Sequence, residues 1–210
     1  MKKAIIFDND GVLVNTEALY FQATKEMCGQ LGKELSLEEF INCHIKSSKA
    51  TWHLTNISDD EIPQWRAWRN TRYSELLQEG DLSFPGVEQV IEEHSRDYRL
   101  CIVTSSKKSH FDRIHRENNY LKYFEFIITL EDVSKSKPSP EPYLKALERL
   151  NLAAENCLVV EDSFRGLKSA QAANIDCVII QNNFSQHQDL SEAKYNLDEL
   201  TKLPKFVSEL

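Results

Sequence analysis

An α/β fold is predicted for this 210-residue chain: a doubly wound parallel sheet interrupted by a helical insertion. Three observations predict it. Short, β-branched apolar runs recur along the chain and are continuous rather than alternating, as strands buried on both faces of a parallel sheet are. Helical patterns separate these runs, and alternating strands and helices make an α/β fold. More than eighty residues divide the first run from the second, too many for one crossover helix.

The first run is Ala4–Phe7. Thr16–Ser83 then reads as several helices. Within it, Ser36-Leu-Glu-Glu39 and Ser58-Asp-Asp-Glu61 both have capping-box spacing, in which a serine and a glutamate three residues on satisfy each other's backbone N–H groups. Pro85-Gly86 precedes a helical pattern over Val87–His94, and Leu100–Val103 is the second run. Phe126–Ile128 is the third. A Ser-Pro start leads into a helix over Tyr143–Leu150, and Leu158–Val160 is the fourth run. Leu167–Ala173 ends at Asn174, a residue that tolerates the left-handed cap conformation, and Val178–Ile180 is the fifth run. A prior of roughly 150 residues per domain puts the chain between one domain and two. The reading is a core of residues 1–15 and 84–210 with a helical cap of residues 16–83 inserted after the first strand.

Charge narrows the function. Subtracting 33 acidic residues from 25 basic ones leaves −8, which lacks the footprint of a nucleic-acid binder and would be repelled by an anionic membrane. A hydrophobic share of 41% with 28% charged residues fits a globular protein. Asp8 interrupts anything resembling a signal-peptide core, and no apolar run can span a bilayer. A cytoplasmic location is expected. Cys28, Cys43, Cys101, Cys157 and Cys177 are odd in number and show no C-x-x-C. They read as reduced core thiols, not as a disulfide frame or a zinc site.

Ligands of open α/β sheets sit beyond the carboxyl ends of the strands. The residues that follow the runs are Asp8-Asn-Asp10-Gly11, Thr104-Ser105-Ser106, a segment leading to Lys137, and Glu161-Asp162. One rim thus collects four carboxylates, a hydroxyl cluster and a lysine. Carboxylates so gathered repel one another unless a cation sits among them, and oxygen-rich sites suit Mg²⁺. The lysine and hydroxyls could then hold a phosphate beside it. In outline this is a site for phosphoryl transfer.

FDNDGVLVNTE, IVTSS, SKPSPEPY and VVEDSFRGLKSAQAANI resemble the four successive motifs of the haloacid dehalogenase (HAD) superfamily. The closest resemblance is to the subfamily with a helical cap after the first strand, which contains the β-phosphoglucomutase-like phosphatases. The resemblance spans nearly the whole core, while the cap matches only in position and helical character. It implies a Rossmann-like core and, residue by residue, a set of roles. Asp8 would be the nucleophile that forms an aspartyl-phosphate, and Asp10 the acid that protonates the leaving oxygen and then deprotonates water. Thr104, with the Ser105 backbone and neighbouring Ser106, would bind the transferring group, and Lys137 would neutralise charge between that group and Asp8. Asp8, the Asp10 backbone carbonyl and Asp162 would ligate Mg²⁺, with Glu161 bound directly or through water. Asp10 argues for phosphate esters over carbon–halogen bonds, since dehalogenating members lack it. Two departures stand out: Asn9 fills a place usually apolar or aromatic, and Asn15 replaces a common aspartate.

Each motif has a plainer reading. Asp8–Gly11 could be an ordinary turn. Thr104–Ser106 could cap a helix. Ser139 and Pro140 could open a helix and leave Lys137 solvated, and Glu161-Asp162 could be helix-start acids. Their joint register favours the site. In the cap, Trp65 and Trp68 with Trp52 read as a small helical core. Arg66, Arg69 and Arg72 read as a solvated face paired with Glu61 and Glu75. Lys46 and Lys49 are the cap's substrate-binding candidates. His110 and His115, placed on a surface helix, have the wrong spacing for a metal pair. The expected activity is Mg²⁺-dependent hydrolysis of a small phosphorylated metabolite, a sugar phosphate by preference, under a closing cap. A hexose-phosphate mutase using the same residues is the alternative, and a phosphoreceiver module or an inactive scaffold fits less well. A monomer is expected, with a dimer left open.

Overall fold

The computed structural model describes residues 1–46, 51–78 and 82–210, with the side chains of residues 44–46 outside that description. Contacts divide the chain into two units, Met1–Asn15 with Ser83–Leu210, and Thr16–Leu82. Ser83 joins the first unit, bridging to Val14.

The first unit is built on β1 (Ala4–Phe7), β2 (Arg99–Val103), β3 (Phe126–Ile128), β4 (Cys157–Glu161), β5 (Asp176–Ile180) and β6 (Tyr195–Leu197). All pair in parallel, in the order β3-β2-β1-β4-β5-β6. The sixth strand was not anticipated: it is three residues long, carries the exposed Asn196 at its centre, and offers no apolar run to read.

Period-two alternation explains why the central runs are continuous. Ala4, Ile6, Cys101, Val103, Cys157, Val159, Cys177 and Ile179 belong to one core cluster with Tyr143, Ala146, Leu167 and Ala170. The intervening Ile5, Phe7, Leu100, Ile102, Leu158, Val160, Val178 and Ile180 are buried as well. Both faces are therefore covered, and each such aliphatic side chain contributes ~2 kcal/mol by leaving water.

The helices, numbered through both units in chain order, are α1 (Glu17–Gln30), α2 (Leu37–Phe40), α3 (Ile62–Leu76), α4 (Val87–His94), α5 (Lys108–Ile114), α6 (Glu141–Leu150), α7 (Phe164–Ala172) and α8 (Leu203–Ser208). Both capping boxes form: Ser36 with Glu39 opens α2, and Ser58 with Glu61 opens a 3₁₀ turn that runs into α3. Past α7, Asn174 takes φ +57°.

In the second unit Tyr20 packs edge-on against Tyr73 at 5.3 Å, and Phe21 meets Phe40 at 5.1 Å. Three expectations are corrected by burial. Arg69 does not lie on a solvated face: its guanidinium sits 4.8 Å from the Tyr20 ring centroid and 5.5 Å from that of Trp52. Among the described residues, Arg72 alone of the arginine series forms the expected kind of ion pair, with Glu26 at 2.5 Å and Glu75 at 3.0 Å. Trp65 and Trp68 are half-buried and face each other at 6.4 Å instead of forming a core. In the first unit, His110 on α5 and His115 just past its end are both buried. All five cysteines are buried and unpaired as disulfides.

Candidate active site

Strand order reverses between β1 and β4, which is where open α/β sheets place their ligands. Asp8 follows β1 and donates its backbone N–H to Val160 O at 2.9 Å. Glu161 ends β4. Carried one step further, the alternation of Ala4 and Ile6 and of Cys157 and Val159 sends both carboxylates to the α6–α7 side.

Lys137 meets them there. Its Nζ donates to Asp8 Oδ1 at 2.8 Å, Glu161 Oε1 at 2.6 Å and Val103 O at 2.8 Å. All three ammonium protons are thus used, and the residue is 3% exposed, which removes the solvated-lysine reading. Arg165 secures the lysine's own backbone, donating through Nε to Lys137 O at 3.0 Å.

Glu161 is held as firmly. Tyr143 OH donates to Oε1 at 2.8 Å, and Ser163 Oγ donates to Oε2 at 3.0 Å, beside the backbone N–H groups of Asp162 and Ser163. Ser163 also N-caps α7, its Oγ accepting from Gly166 N.

Asp162 completes the group. Oxygens of Asp8, Glu161 and Asp162 lie within 4.8 Å of one another. Asn182 donates through Nδ2 to Asp162 Oδ2 at 2.7 Å and to Gly11 O at 3.0 Å. Gly11 turns at φ +82°, and a Cβ there would lie 2.0 Å from Asp162 Oδ2. No side chain fits between the Asp8–Asp10 turn and Asp162.

Electrostatics test whether a cation suits this cluster. Burial pushes the Asp8 carboxyl up to about 8, and Glu161 adds to the rise while Lys137 opposes it. Burial pulls Lys137 down, but Asp8 and Glu161 more than offset that and hold it above the ordinary lysine range. One ammonium among three buried carboxylates leaves negative charge uncompensated. A divalent, oxygen-seeking cation removes the excess, so the donor set fits Mg²⁺.

Of the four carboxylates expected at this rim, Asp8, Glu161 and Asp162 form the close group that could hold a metal, and the Asp10 carboxylate acts on Asp8 from outside it. The side chain of Asp10 meets hydroxyl donors: its Oδ2 accepts from Ser106 Oγ at 2.7 Å and Thr104 Oγ1 at 3.3 Å. Thr104 is buried, and Ser105 is exposed at the rim. Lys46 ends a π-helical stretch, Ile41–Lys46, but its side chain is outside the description, and Lys49 lies outside the described residues.

Tyr143, Arg165 and Asn182 escaped the sequence reading. Asn182 stands just past the fifth apolar run, so the rule that located Thr104 and Glu161 would have found it. Tyr143 and Arg165 carry no such signal, being ordinary members of helices.

Comparison with known proteins decides the family. The model for haloacid dehalogenase-like hydrolases matches residues 5–180. The chain belongs to the haloacid dehalogenase-like hydrolase family. This hydrolase is 32% identical to a phosphorylated carbohydrates phosphatase of Thermotoga maritima, over 83% of this chain and 82% of that one. It is 30% identical to protein CbbY of Rhodobacter capsulatus, over 95% and 94% of the two chains. Among solved structures it matches a CbbY variant from Rhodobacter sphaeroides, in complex with xylulose-(1,5)bisphosphate, at a TM-score of 0.83 and 25% identity, covering 97% of this chain and 96% of that one. Family and phosphatase-named relative together class the hydrolase as a phosphatase. Among its described residues, no helix is long and apolar enough to cross a membrane.

Proposed function

We propose that this hydrolase takes the phosphoryl group from a small phosphorylated carbohydrate by way of an aspartyl-phosphate on Asp8. The observation that carries the reading is the buried contact of Asp8 with Lys137, 2.8 Å apart and beside Asp162. Asp8 attacks phosphorus through a carboxylate oxygen, and the leaving oxygen departs with a proton from Asp10. Asp10 then takes a proton from water as that water attacks the aspartyl-phosphate, releasing phosphate and restoring Asp8. Lys137 stays charged throughout and offsets the negative charge between nucleophile and phosphoryl group. Thr104 and the Ser105 backbone hold the transferring oxygens.

Mg²⁺, when bound, screens Asp8 from the anionic ester and stabilises charge that develops on the phosphoryl oxygens. Asp8, Asp162 and the Asp10 backbone carbonyl would hold it. Glu161 Oε1 and Oε2 already accept five donors, which supports contact through water over direct ligation. We assign the second unit the role of a cap that excludes bulk water during turnover. A half-buried arginine, Arg69, suits an anionic substrate there, because its Nε and the nearby Trp52 Nε1 have no hydrogen-bond partner among the described residues.

Release of inorganic phosphate from a panel of phosphorylated metabolites, ranked by kcat/KM, tests this function. A sugar phosphate at the top of the ranking is expected. A coupled assay on β-glucose 1-phosphate with a bisphosphate activator separates the mutase: glucose 6-phosphate in place of free phosphate would overturn the hydrolytic reading.

A further inference from the structure

Asn9 is a polar side chain at a position where an apolar one would serve the fold, and it is fully buried. The turn after β1 uses only its backbone, whose carbonyl accepts from Val12, Leu13 and Val14. Its side chain goes elsewhere. Asn9 Nδ2 lies 3.3 Å from Asp10 Oδ2, and Asn9 Oδ1 lies 2.6 Å from His115 Nε2. His115 Nδ1 lies 2.9 Å from Asn118 Nδ2, and Asn118 Nδ2 also donates to Tyr120 OH at 3.0 Å.

Donor and acceptor roles along this chain have one consistent assignment. The Asn118 amide nitrogen only donates, so His115 Nδ1 accepts and the ring proton sits on Nε2. Asn9 Oδ1 accepts that proton's hydrogen bond, which turns Nδ2 toward the Asp10 carboxylate. Burial keeps the imidazole neutral by pulling its pKa down to about 4, so the assignment holds across the working pH range. Phe111, with its ring centroid 4.4 Å from that of His115, and Tyr120, edge-on at 5.7 Å, fix the imidazole plane.

We infer that Asn9, oriented by His115, is a positioning residue for the acid–base carboxyl of Asp10. Asn9, Ser106 and Thr104 all donate to Oδ2, which fixes the orientation of the carboxyl that gives and takes the proton. The inference rests on the proposed function only for the role of Asp10.

The test is leaving-group dependence. Aryl phosphates with good leaving groups need little help from an acid, and those with poor ones need much. For Asn9→Leu, kcat/KM on phenyl phosphate is expected to fall about tenfold, while that on 4-nitrophenyl phosphate stays within about twofold of the parent. A purely structural role would lower both equally. Because Asn9→Leu strands the buried His115 N–H, the double variant Asn9→Leu/His115→Phe, which keeps the ring packing, is measured beside it. The same selectivity in the double variant supports positioning, and equal effects on both esters, or parental rates on both, overturn it. Asp10→Asn separates the two claims. If it shows the selectivity and the Asn9 variants do not, the inference alone fails; if it shows none, the acid role of Asp10 fails.

Discussion

Gly166 makes room for Glu161: a Cβ on Gly166 would lie 1.8 Å from the glutamate's Oε1. The first turn of α7 therefore closes over the carboxylate that supports Lys137, and only a glycine permits it. Gly166→Ala must displace Glu161, and overpacking of this kind costs about 1–3 kcal/mol. Urea unfolding is expected to show that loss, together with a lower kcat as Lys137 shifts. An unchanged midpoint would mean that Glu161 has another place to go.

Asn182 holds Asp162 through a hydrogen bond of 2.7 Å to Oδ2. Asn182→Ala removes the bond to Asp162 Oδ2, and groups that orient metal ligands are worth roughly 10–100-fold in affinity. The concentration of Mg²⁺ giving half-maximal thermal stabilisation is expected to rise by at least about tenfold. EDTA should abolish turnover in the parent enzyme, and Mg²⁺ should restore it.

The buried histidines should withdraw stability on mild acidification. Burial lowers the folded pKa of His115 from 6.5 to about 4, and it lowers those of His94 and His110 as well. Between these values the unfolded histidines bind more protons than the folded ones, so their contribution to the unfolding free energy decreases as pH falls from about 6.5 toward 4. Asp8, held near 8 in the folded state, acts in the opposite direction. His115 alone contributes a loss of up to about 3 kcal/mol. In His115→Phe the slope over that window should flatten; an unchanged slope would show that the imidazole is solvated.

Arg69 sits between two aromatic rings with donors to spare. Arg69→Met keeps the packing volume and removes the charge. KM for the best phosphorylated carbohydrate is expected to rise about tenfold with kcat less affected, and KM for 4-nitrophenyl phosphate is expected to move little. Equal changes on both substrates would assign Arg69 to folding alone.

Much of this architecture was legible because its signals are short-range. Asp8, Thr104 and Glu161 follow apolar runs directly, so strand ends locate them, and Ser36–Glu39 announces a helix start in four letters. The missing pieces depend on packing across long sequence separations. His115 meets Asn9 from far along the chain, and α5 is too short for its periodicity to show an inward face. Arg69 resembles Arg66 and Arg72 in spacing, and only Tyr20 and Trp52, brought in from other elements, distinguish it. The direction of the Asp10 side chain likewise follows from Ser106 and Thr104, which a strand-end rule cannot resolve.

Asp8 as nucleophile is the claim on which the rest depends, and Asp8→Asn tests it most directly. The substitution keeps the side-chain volume and relieves a buried charge, so the variant should fold at least as stably as the parent. Phosphate release from the best substrate, with Mg²⁺ present and folding verified by circular dichroism, is expected to fall to background. Sustained turnover by folded Asp8→Asn would contradict the account.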